Sequence, residues 1–581
     1  MHKARALFFV CAGLSTLLLI AGTVPAAAST VVVPGDYATI QGAVDSSTAD
    51  TIKVKDGDFA EWLVVNRSVT LVAYPRSGES APAFPSVLGL TQHAGRLNCE
   101  GFRFRGPVNV SSTEERTFES CRFDAGLVIS PASGGFTLLR SCLVFGAAIT
   151  SGMNVAIQGC SFIGGGLTTS AEFWFDVRGN YVAGPAAVGI QAASDGAGGS
   201  ISDNLIVGTT DGLVYIPNSY LNPSISHNEV RDCSGTAYRV QGSYGGGNAY
   251  LTDNWARRCG RNGIEASGPL SSLYLTGNQV DTVGTHGILV MLNNSNNLTT
   301  ITSNRVTHAG GSGVAYTGSP RTDAVVTVSN NRVLDCTGDG IRVTQPTMID
   351  HNVVGRCGGT GVVVDTTRTL GWLTIRSNTV YQNAGSGFRV HGSAVDLLDH
   401  NIACGNLHYG LEWTSAEQPT IGCNDWYGNP LGPTLGVTPA ATDLQLNPLF
   451  CNLPQDSVTL SAVSALANAP GCGLIGALGV GCSYPSAVEP KPALAGMGLS
   501  VVPQPNRGLV RFAWRGLPQP ARLEIYDAAG ARHWRADMAP GQQELRWSGT
   551  DQSGRPLPAG VYFVRLVGPS LDEKKRLVLV R

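Results

Sequence analysis

Short apolar runs of about four residues, broken by Gly, Asn and Ser, follow one another along most of the chain. Within many of them apolar and polar positions alternate, as in Ile264-Glu265-Ala266, Ile341-Arg342-Val343 and Phe388-Arg389-Val390. A period of two predicts strands whose flanking residues point inward and whose middle residue points to solvent. The runs leave no room for a helix in each unit, so the pattern predicts a chain of strands and turns.

An asparagine before one strand of each unit sets the period of the repeat. It recurs at Asn180, Asn204, Asn228, Asn254, Asn278, Asn304, Asn331, Asn352, Asn378 and Asn401, with spacings of 21 to 27 residues. Upstream, cysteine takes this place at Cys99, Cys121, Cys142 and Cys160. The pattern favours about 15 stacked coils of short parallel strands, on the order of 70 Å long. We interpret the asparagine as the left-handed residue of a repeated turn, with side chains bonded in a ladder.

The segment from Asp36 to Pro75 has the order of elements expected at the start of such a stack. It contains a short helix at Ile40 to Asp45, a strand at Ile52 to Val54, a turn and a first full coil. With the ladder, this resembles the right-handed parallel β-helix proteins of the pectate-lyase-like superfamily, over roughly Thr30 to Cys482. The resemblance implies an all-β parallel β-helix solenoid over residues 29–403 and a terminal coil and cap over 404–482. It implies no single activity, since such coils carry lyases, hydrolases, esterases, epimerases and non-enzymatic surface proteins.

The C-terminal part of the chain has a different pattern. Residues 483–498 are rich in Pro and Ala and predict a linker, and the alternating runs of residues 499–581 predict a small β-sandwich. These runs resemble FlgD-type immunoglobulin-like domains and the sorting domains of type IX secretion. The matching residues are Tyr526, Asp527, Trp547, Asp551, Gly554, Gly560, Val561, Tyr562, Lys575, Arg576 and Leu577. The resemblance implies sorting or surface attachment through the secretion machinery.

The first 28 residues predict a secretory signal peptide cleaved near Ala28. Lys3 and Arg5 precede an apolar run from Ala6 to Gly22, and small residues follow at Ala26 to Ala28. No later segment is long and apolar enough to span a bilayer as a helix. We therefore expect an exported protein, secreted or on the cell surface, that is not a helical membrane protein.

Composition supports strands and gives no sign of a nucleic-acid partner. Glycine is abundant, at 73 of 581 residues, and only 14% of residues are charged, which disfavours long amphipathic helices. From Glu489 onward there are 14 basic and 8 acidic residues, so a basic tail follows a mildly acidic body. Neither part has the strongly basic balance of a nucleic-acid binding protein.

The cysteines and histidines leave two kinds of site to consider. Cys233 and Cys259, and likewise Cys336 and Cys357, follow the asparagine by five residues on adjacent coils, so each pair forms either a disulfide or a stack of buried thiols. In the cap, Cys472 and Cys482 either form a disulfide with each other or stay free. His351 and His400 lie two coils apart, too far to share a zinc ion, and we predict no metal and no cofactor.

The middle, outward position of the repeated strand is where we look for chemistry. It is occupied in turn by Gln191, Val214, Arg239, Glu265, Leu289, Ala315, Arg342, Val363, Arg389 and Glu412. Arg342 beside Asp339, with His286 two coils away, could serve a lyase that needs a cation and a base. Residues placed to contact a polysaccharide are Asp211, Arg239, Glu265, Arg389 and Glu412. The alternative is that these charges form exposed ion pairs between coils and that Asp339 and His286 only serve turns.

These observations favour a surface or secreted protein that binds a glycan or is structural, without catalysis. The alternative function is a polysaccharide lyase or glycoside hydrolase acting on an acidic polysaccharide along the outer face. The calcium-binding and paired-aspartate motifs of the known β-helix enzymes are missing from the sequence. The aromatic loop from Gly242 to Tyr250 is either a sugar-stacking loop or a connector.

Overall fold

The computed structural model describes seventeen stretches of the chain. They are residues 29–74, 84–130, 135–194, 198–217, 224–243, 247–292, 298–318, 325–345, 347–365, 373–392, 397–415, 418–483, 499–502, 510–514, 520–527, 530–568 and 571–579. The predicted signal peptide and nearly all of the predicted linker lie outside these residues. In the described stretches, no helix is long and apolar enough to cross a membrane.

Residues 30–435 form a parallel β-solenoid of about 17 turns with three faces. The first face comprises Thr30–Val33, Thr51–Lys55, Val69–Tyr74, Leu97–Glu100, Arg116–Glu119, Phe136–Arg140, Gly198–Ser202, Ser224–Ser226, Asn248–Thr252, Ser272–Thr276, Leu298–Thr302, Val325–Ser329, Met348–Asp350, Thr374–Arg376, Leu397–Asp399 and Thr420–Gly422. Two long strands, Ala148–Gln158 and Leu167–Arg178, run from the third face of one coil onto the first face of the next.

The second face follows the asparagine turn and the third face completes each coil. The second face comprises Ser86–Val87, Arg103–Phe104, Arg122–Phe123, Leu143–Phe145, Ser161–Ile163, Tyr181–Ala183, Leu205–Val207, Glu229–Arg231, Trp255–Cys259, Gln279–Val283, Arg305–Ala309, Arg332–Leu334, Val353–Gly355, Thr379–Tyr381 and Ile402–Cys404. The third face comprises Trp62–Val65, Gly89–Gln92, Val108–Val110, Leu127–Ile129, Val188–Ser194, Asp211–Pro217, Tyr238–Gln241, Ile264–Gly268, Ile288–Leu292, Val314–Tyr316, Ile341–Val343, Val362–Asp365, Phe388–His391, Tyr409–Trp413 and Gly432–Leu435, with the starts of the two long strands.

The solenoid core consists of apolar residues stacked coil on coil. Ile264, Ile288, Val314 and Ile341 are register partners along the third face, and each is fully buried. The predicted inward and outward alternation and the parallel stacking are therefore confirmed. The turn count exceeds the expected 15 because the first coils lack the repeated Asn or Cys.

The asparagine ladder is present as predicted. From Asn180 onward, each side-chain Nδ2 and each backbone N–H donates to Oδ1 of the asparagine one coil further on, as from Asn304 to Asn331 at 3.0 Å. The ladder runs through Asn424 and ends on the carboxylate of Asp443. The amides are at most 2% exposed, and this arrangement satisfies buried groups that would otherwise be costly. Upstream, Cys160 donates its N–H to Asn180 and Cys142 donates its N–H to Cys160 Sγ, so cysteine continues the same column. Cys99 does not belong to it: it lies inside the strand Leu97–Glu100 opposite Phe118, and Phe102 takes the turn position of that coil.

The left-handed residue of the turn is not the asparagine, which corrects the interpretation given above. Positive φ values of 50° to 57° occur one position earlier, for example at Asp203, His351 and His400. The asparagine keeps its side chain inside the turn for the ladder, and the preceding residue makes the tight bend with its side chain outward. His351 and His400 therefore occupy turn positions.

A short helix, Ile40–Ser46, covers the N-terminal end of the solenoid close to its predicted position. Ile40, Ala43 and Val44 are buried against the first coils. Thr39 caps the helix, its Oγ1 accepting the N–H of Gly42 at 3.0 Å. Such a cap keeps an open end of the stack out of water.

Residues 446–482, called the return segment below, fold back along the outer side of the second face. The segment contains strands Phe450–Asn452, Ser457–Ser461 and Val480–Cys482 and two short 3₁₀ helices, Leu453–Gln455 and Ala465–Asn468. The sequence predicts that this region caps the last open coil. In the structure it covers the second face of the last coils, because the outward side chains there are apolar. Those that share a core with the segment are Leu334, Val353, Tyr381, Ile402 and Cys404.

Two disulfides hold the return segment. Cys423 pairs with Cys472, and Cys451 pairs with Cys482. Cys472 and Cys482 are thus both oxidised, but with partners other than each other. Cys233, Cys259, Cys336 and Cys357 are buried free thiols, so of the two alternatives for these pairs the structure has the stack of thiols.

The described residues beyond 498 form two small antiparallel sheets around a shared core. One contains Ser500–Val502, Val510–Ala513 and Glu544–Trp547, and the other contains Ala521–Asp527, Arg532–Met538, Gly560–Gly568 and Leu571–Leu579. Phe512 and Trp547 of the first sheet are buried in one cluster with Leu523 and Val564 of the second. The alternating runs predicted as strands are therefore strands.

Candidate functional site

The outward column of the third face has the predicted register. Gln191, Val214, Arg239, Glu265, Leu289, Ala315, Arg342, Val363, Arg389 and Glu412 are successive partners from coil to coil. Three of them are not open to solvent as expected: Val214, Ala315 and Val363 are 6%, 1% and 1% exposed. These short side chains lie one coil, about 4.8 Å, from longer ones, whose stems cover them.

Asp339 and Arg342 are in contact, but both are engaged with other groups. Asp339 Oδ2 lies 3.2 Å from Arg342, and its Oδ1 accepts the backbone N–H of Thr360 at 2.9 Å. The second guanidinium nitrogen of Arg342 pairs with Asp365 at 3.0 Å. Asp339 thus serves a turn of the neighbouring coil, and Arg342 lies between two carboxylates.

His286 does not meet this pair. It stacks on Ser312, which stacks on Asp339, so two coils, about 10 Å, separate it from the Asp339 position. Its Nδ1 accepts the N–H of Ser312 at 3.2 Å, and burial lowers the pKa of His286. The structure does not bring the three proposed catalytic residues together.

The remaining third-face residues form a second paired group. Arg239 lies between Asp211, at 2.8 Å, and Glu265, at 3.5 Å. Asp211 also accepts the backbone N–H of Thr236. Arg389 and Glu412 are register partners, but no ion pair joins them within the described residues, and Glu412 accepts a hydrogen bond from Ser386.

The second face carries a polar groove that the sequence analysis missed. A cavity of about 320 Å³ opens there, lined by Arg257, Gln279, Val280, Asp281, Arg305, Thr307, His308, Asp335 and Asp456. All but one of these residues come from four successive coils and the turns beside them. Asp456 comes from the return segment, which forms one end of the groove.

The carboxylates of the groove already have partners. Arg356 pairs with both Asp335 and Asp456, and Arg332 donates to the backbone oxygen of Asp456. Asp281 accepts hydrogen bonds from Thr307 at 2.8 Å and from His308 at 3.0 Å. Burial alone would raise the pKa of Asp281, but these hydrogen bonds outweigh it and hold the pKa below its usual value.

Two cations of the groove have no such partner. Neither Arg257 nor Arg305 forms an ion pair with any residue that the structure describes. Arg257 lies over the ring of Trp255, 3.8 Å from its centroid. The groove therefore offers two guanidinium groups without a carboxylate partner among the described residues, one of them stacked on a partly exposed aromatic ring.

Asp281 does not suit the role of a general acid. A general acid needs a carboxyl group that keeps its proton near neutral pH, whereas Asp281 is held in its ionised form. In the described part of the chain, no group of three or more His, Cys, Asp or Glu side chains could hold a metal ion.

A signal for this groove is present in the sequence, on the second face rather than in the third-face column considered above. Counting from the asparagine, the first and third residues of the next strand face outward on the second face. In successive coils they include Glu229 and Arg231, Trp255 and Arg257, Gln279 and Asp281, and Arg305 and Thr307. The aromatic loop from Gly242 is described only in part, because residues 244–246 lie outside the described stretches. Its Tyr250 belongs to the first face and stacks on Tyr274 with ring centroids 4.8 Å apart.

Comparison with known proteins identifies the repeat. The family model described as "Right handed beta helix region" matches residues 108–280 and 270–426. No curated protein matches the chain.

Three solved structures are similar in part. PorZ, a surface component of the type-IX secretion system of Porphyromonas gingivalis, is 23% identical over 14% of this chain and 12% of its own, with a TM-score of 0.13. The siphovirus 9NA tailspike receptor binding domain is 11% identical over 94% and 88%, with a TM-score of 0.21. Bacteriophage CBA120 tailspike protein 2 is 10% identical over 93% and 73%, with a TM-score of 0.14. At these scores the three structures support no argument about function.

Proposed function

The chain belongs to the family of proteins with a right-handed β-helix region, and we propose that it is an exported glycan-binding protein without catalytic activity. The single observation that carries the proposal is the groove on the second face. Its free guanidinium groups, hydroxyl and amide groups and neighbouring indole ring are the contacts that a carbohydrate uses, through hydrogen bonds and ring stacking.

A structural role without any ligand is a weaker proposal. Neither Arg257 nor Arg305 in the groove has a carboxylate partner among the described residues. On the third face, by contrast, Arg239 and Arg342 are each held between two carboxylates. The two groove arginines are therefore available to a ligand.

A polysaccharide lyase or hydrolase is the second candidate, and the contact between Asp339 and Arg342 is the observation in its favour. A lyase needs a cation and a base converging on one sugar, and His286 lies two coils away. A panel of polyuronates incubated with the protein tests this candidate. If chains are depolymerised and Arg342→Ala abolishes the cleavage, catalysis replaces binding as the function.

The C-terminal sheets are proposed as an immunoglobulin-like domain for sorting or surface attachment, following the signal peptide that directs export. The support is the FlgD-type sequence resemblance together with the two antiparallel sheets around one core. Deletion of residues 489–581 should block surface delivery while the solenoid still folds. Export and attachment that survive this deletion would contradict the sorting role.

Affinity electrophoresis against a panel of neutral and acidic polysaccharides tests glycan binding directly. Retardation by at least one polymer is expected, and Trp255→Ala should weaken it about tenfold because the stacking surface beside Arg257 is lost. Tyr274→Ala, which removes an aromatic ring from the first face, is the matched control and should bind as the unaltered chain does. The proposal fails if no polymer retards the protein, or if only Tyr274→Ala loses binding.

A further inference from the structure

The groove lies where the second face changes from open to covered. On its N-terminal side, Glu229, Arg231, Trp255 and Gln279 are partly exposed along successive coils. On its C-terminal side, the next outward residues are buried under the return segment: Leu334, Val353 and Tyr381 are at most 4% exposed. A ligand lying along the columns can extend over the N-terminal coils but meets the return segment at Asp456.

The return segment is held firmly against the solenoid. Arg356 joins Asp456 to Asp335 of the solenoid, and the disulfide between Cys423 and Cys472 ties the segment to the turn of a later coil. The ring of Tyr381 packs on Phe450 beneath these contacts, with centroids 6.3 Å apart. Residues near Asp456 therefore form a fixed wall to the groove.

The charge at this wall favours an anionic ligand. The groove and the residues that hold its wall contribute four guanidinium groups, from Arg257, Arg305, Arg332 and Arg356. Against them stand three carboxylates, from Asp281, Asp335 and Asp456, and each has a partner. Arg257 and Arg305, which form no ion pair with a described residue, belong to strands two coils apart, with Gln279 and Asp281 on the strand between them. The carboxylate of Asp281 is engaged by Thr307 and His308, so the acidic group of a ligand would meet the two guanidinium groups.

We propose that the groove binds the end of an acidic glycan chain, with the return segment as the stop that admits a terminal unit and excludes continuous chain. The inference rests on the proposed glycan binding and adds two properties to it, the acidic charge and the chain end. A carboxylate or sulfate on the terminal sugar would meet Arg257 and Arg305, and the sugars before it would lie over the N-terminal coils beside Trp255.

The test uses the full exported chain and three uronate polymers as probes: polygalacturonate, alginate and hyaluronate. Each is offered whole, as fragments of decreasing length at equal mass, and with its carboxyl groups reduced to alcohols. For a polymer that binds, binding per unit mass should rise in proportion to the number of chain ends. Reduction of the carboxyl groups should weaken binding about tenfold or more.

Two arginine variants test whether the acidic fragments bind in the groove. Arg257→Gln and Arg305→Gln are surface changes that leave the core untouched, and each should weaken binding of the fragments about tenfold. Arg140→Gln is the matched control on the first face, where the arginine pairs with Glu119, and it should leave binding unchanged.

The possible failures are distinguishable. If carboxyl-reduced fragments bind as well as unreduced ones, the ligand does not need an acidic group. If binding per unit mass does not change with fragment length, the groove does not recognise chain ends. In both cases the proposed glycan binding itself stands. Retention of binding in both arginine variants moves the site away from the groove. Absence of binding to the uronates and to every neutral polymer defeats the proposed function and this inference together.

Discussion

The second face of the solenoid has two halves that share one backbone and differ in what their outward side chains meet. From Glu229 to Arg305 the outward residues are polar, partly exposed and arranged around a groove. From Leu334 to Cys404 they are apolar and buried under the return segment. Both halves have the same asparagine ladder and the same inward core. The fold and its period therefore do not determine whether the outward residues are exposed or covered.

The comparison shows that the same solenoid backbone can carry two kinds of outer surface, one covered and one open. Because the inward side chains stabilise each coil, the outward positions are free to vary from coil to coil. A run of apolar residues there requires a cover, and the chain supplies one from its own residues 446–482. A run of polar residues requires none and is left available for a ligand.

Removing a large side chain from the covered half should have the largest effect. Tyr381→Ala takes out a fully buried ring that packs on Phe450, and we expect a loss of about 3–5 kcal/mol in the free energy of unfolding. Gln279→Ala in the open half is the control and should change this free energy by less than about 0.5 kcal/mol. Urea denaturation measures both, and equal losses would mean that the two halves do not differ in the way described.

Breaking the covalent tie of the return segment should have the next largest effect. Replacing Cys423 and Cys472 together by Ser opens a loop of 49 residues and should destabilise the covered half by about 2–4 kcal/mol. Tm and limited proteolysis of the segment, with and without reductant, provide the measurement. Cys357→Ala, which removes a free thiol, is the control: reductant should still lower its Tm and speed proteolysis of its return segment, as it does in the unaltered chain. A double variant as resistant to proteolysis as the unaltered chain would show that apolar packing alone holds the segment.

The junction between the last coil and the return segment should respond to pH. Asp425 is fully buried, its Oδ1 accepts the N–H of Leu446, and burial raises its pKa to about 7. Because folding raises this pKa above 3.8, the folded chain holds the proton more tightly than the unfolded chain does. Stability should therefore fall as the pH rises from about 4 to about 7, by an amount on the order of 2–4 kcal/mol, and level off above that range.

Asp425→Asn separates this effect from other titrations. The amide keeps an oxygen for the N–H of Leu446 but carries no charge, so the decline of stability over this pH range should be smaller in the variant. Asp443, whose charge also raises the pKa of Asp425, stays in place in both proteins. Identical pH profiles of thermal stability would rule out Asp425 as the titrating group.

The smallest effect is expected on the third face. Arg342→Gln breaks two ion pairs whose side chains are 17% to 42% exposed, and it should reduce the free energy of unfolding by less than about 1 kcal/mol. Thermal denaturation at low and high salt measures the loss, which should shrink further as salt is added. A loss above about 2 kcal/mol would mean that this arginine is part of the solenoid's stability and not a surface charge.

The sequence predicts those parts of the structure that repeat. Asn180 to Asn401 recur with a period, and a ladder, parallel strands and inward stacks follow from that repetition. The return segment could not be predicted in the same way, because Leu334, Tyr381 and Ile402 bear no common spacing to the residues that cover them. The register between residues 446–482 and the second face is set by tertiary packing alone.

The candidate site was missed for a related reason. The sequence analysis selected the third-face column around Arg342 because charged residues occur there on several coils. Charged residues on adjacent coils, however, are close enough to pair with each other. Arg257 and Arg305 stand two coils apart in different columns; the carboxylate next to Arg257, Asp281, bonds Thr307 and His308 instead, and neither arginine has an ion pair among the described residues. Chemistry available to a ligand lies where the repeat is irregular, and a periodic pattern does not reveal such places.

The asparagine ladder also has a direction. Each hydrogen bond between two ladder side chains is donated toward the C-terminal end, while the same amide groups donate to a backbone carbonyl of the preceding coil. The row begins after a thiol, at Cys160, and finishes on a carboxylate, at Asp443, which accepts two hydrogen bonds from Asn424 and needs to give none. A whole coil could be inserted or deleted between these termini without mismatch, but the two termini could not exchange places.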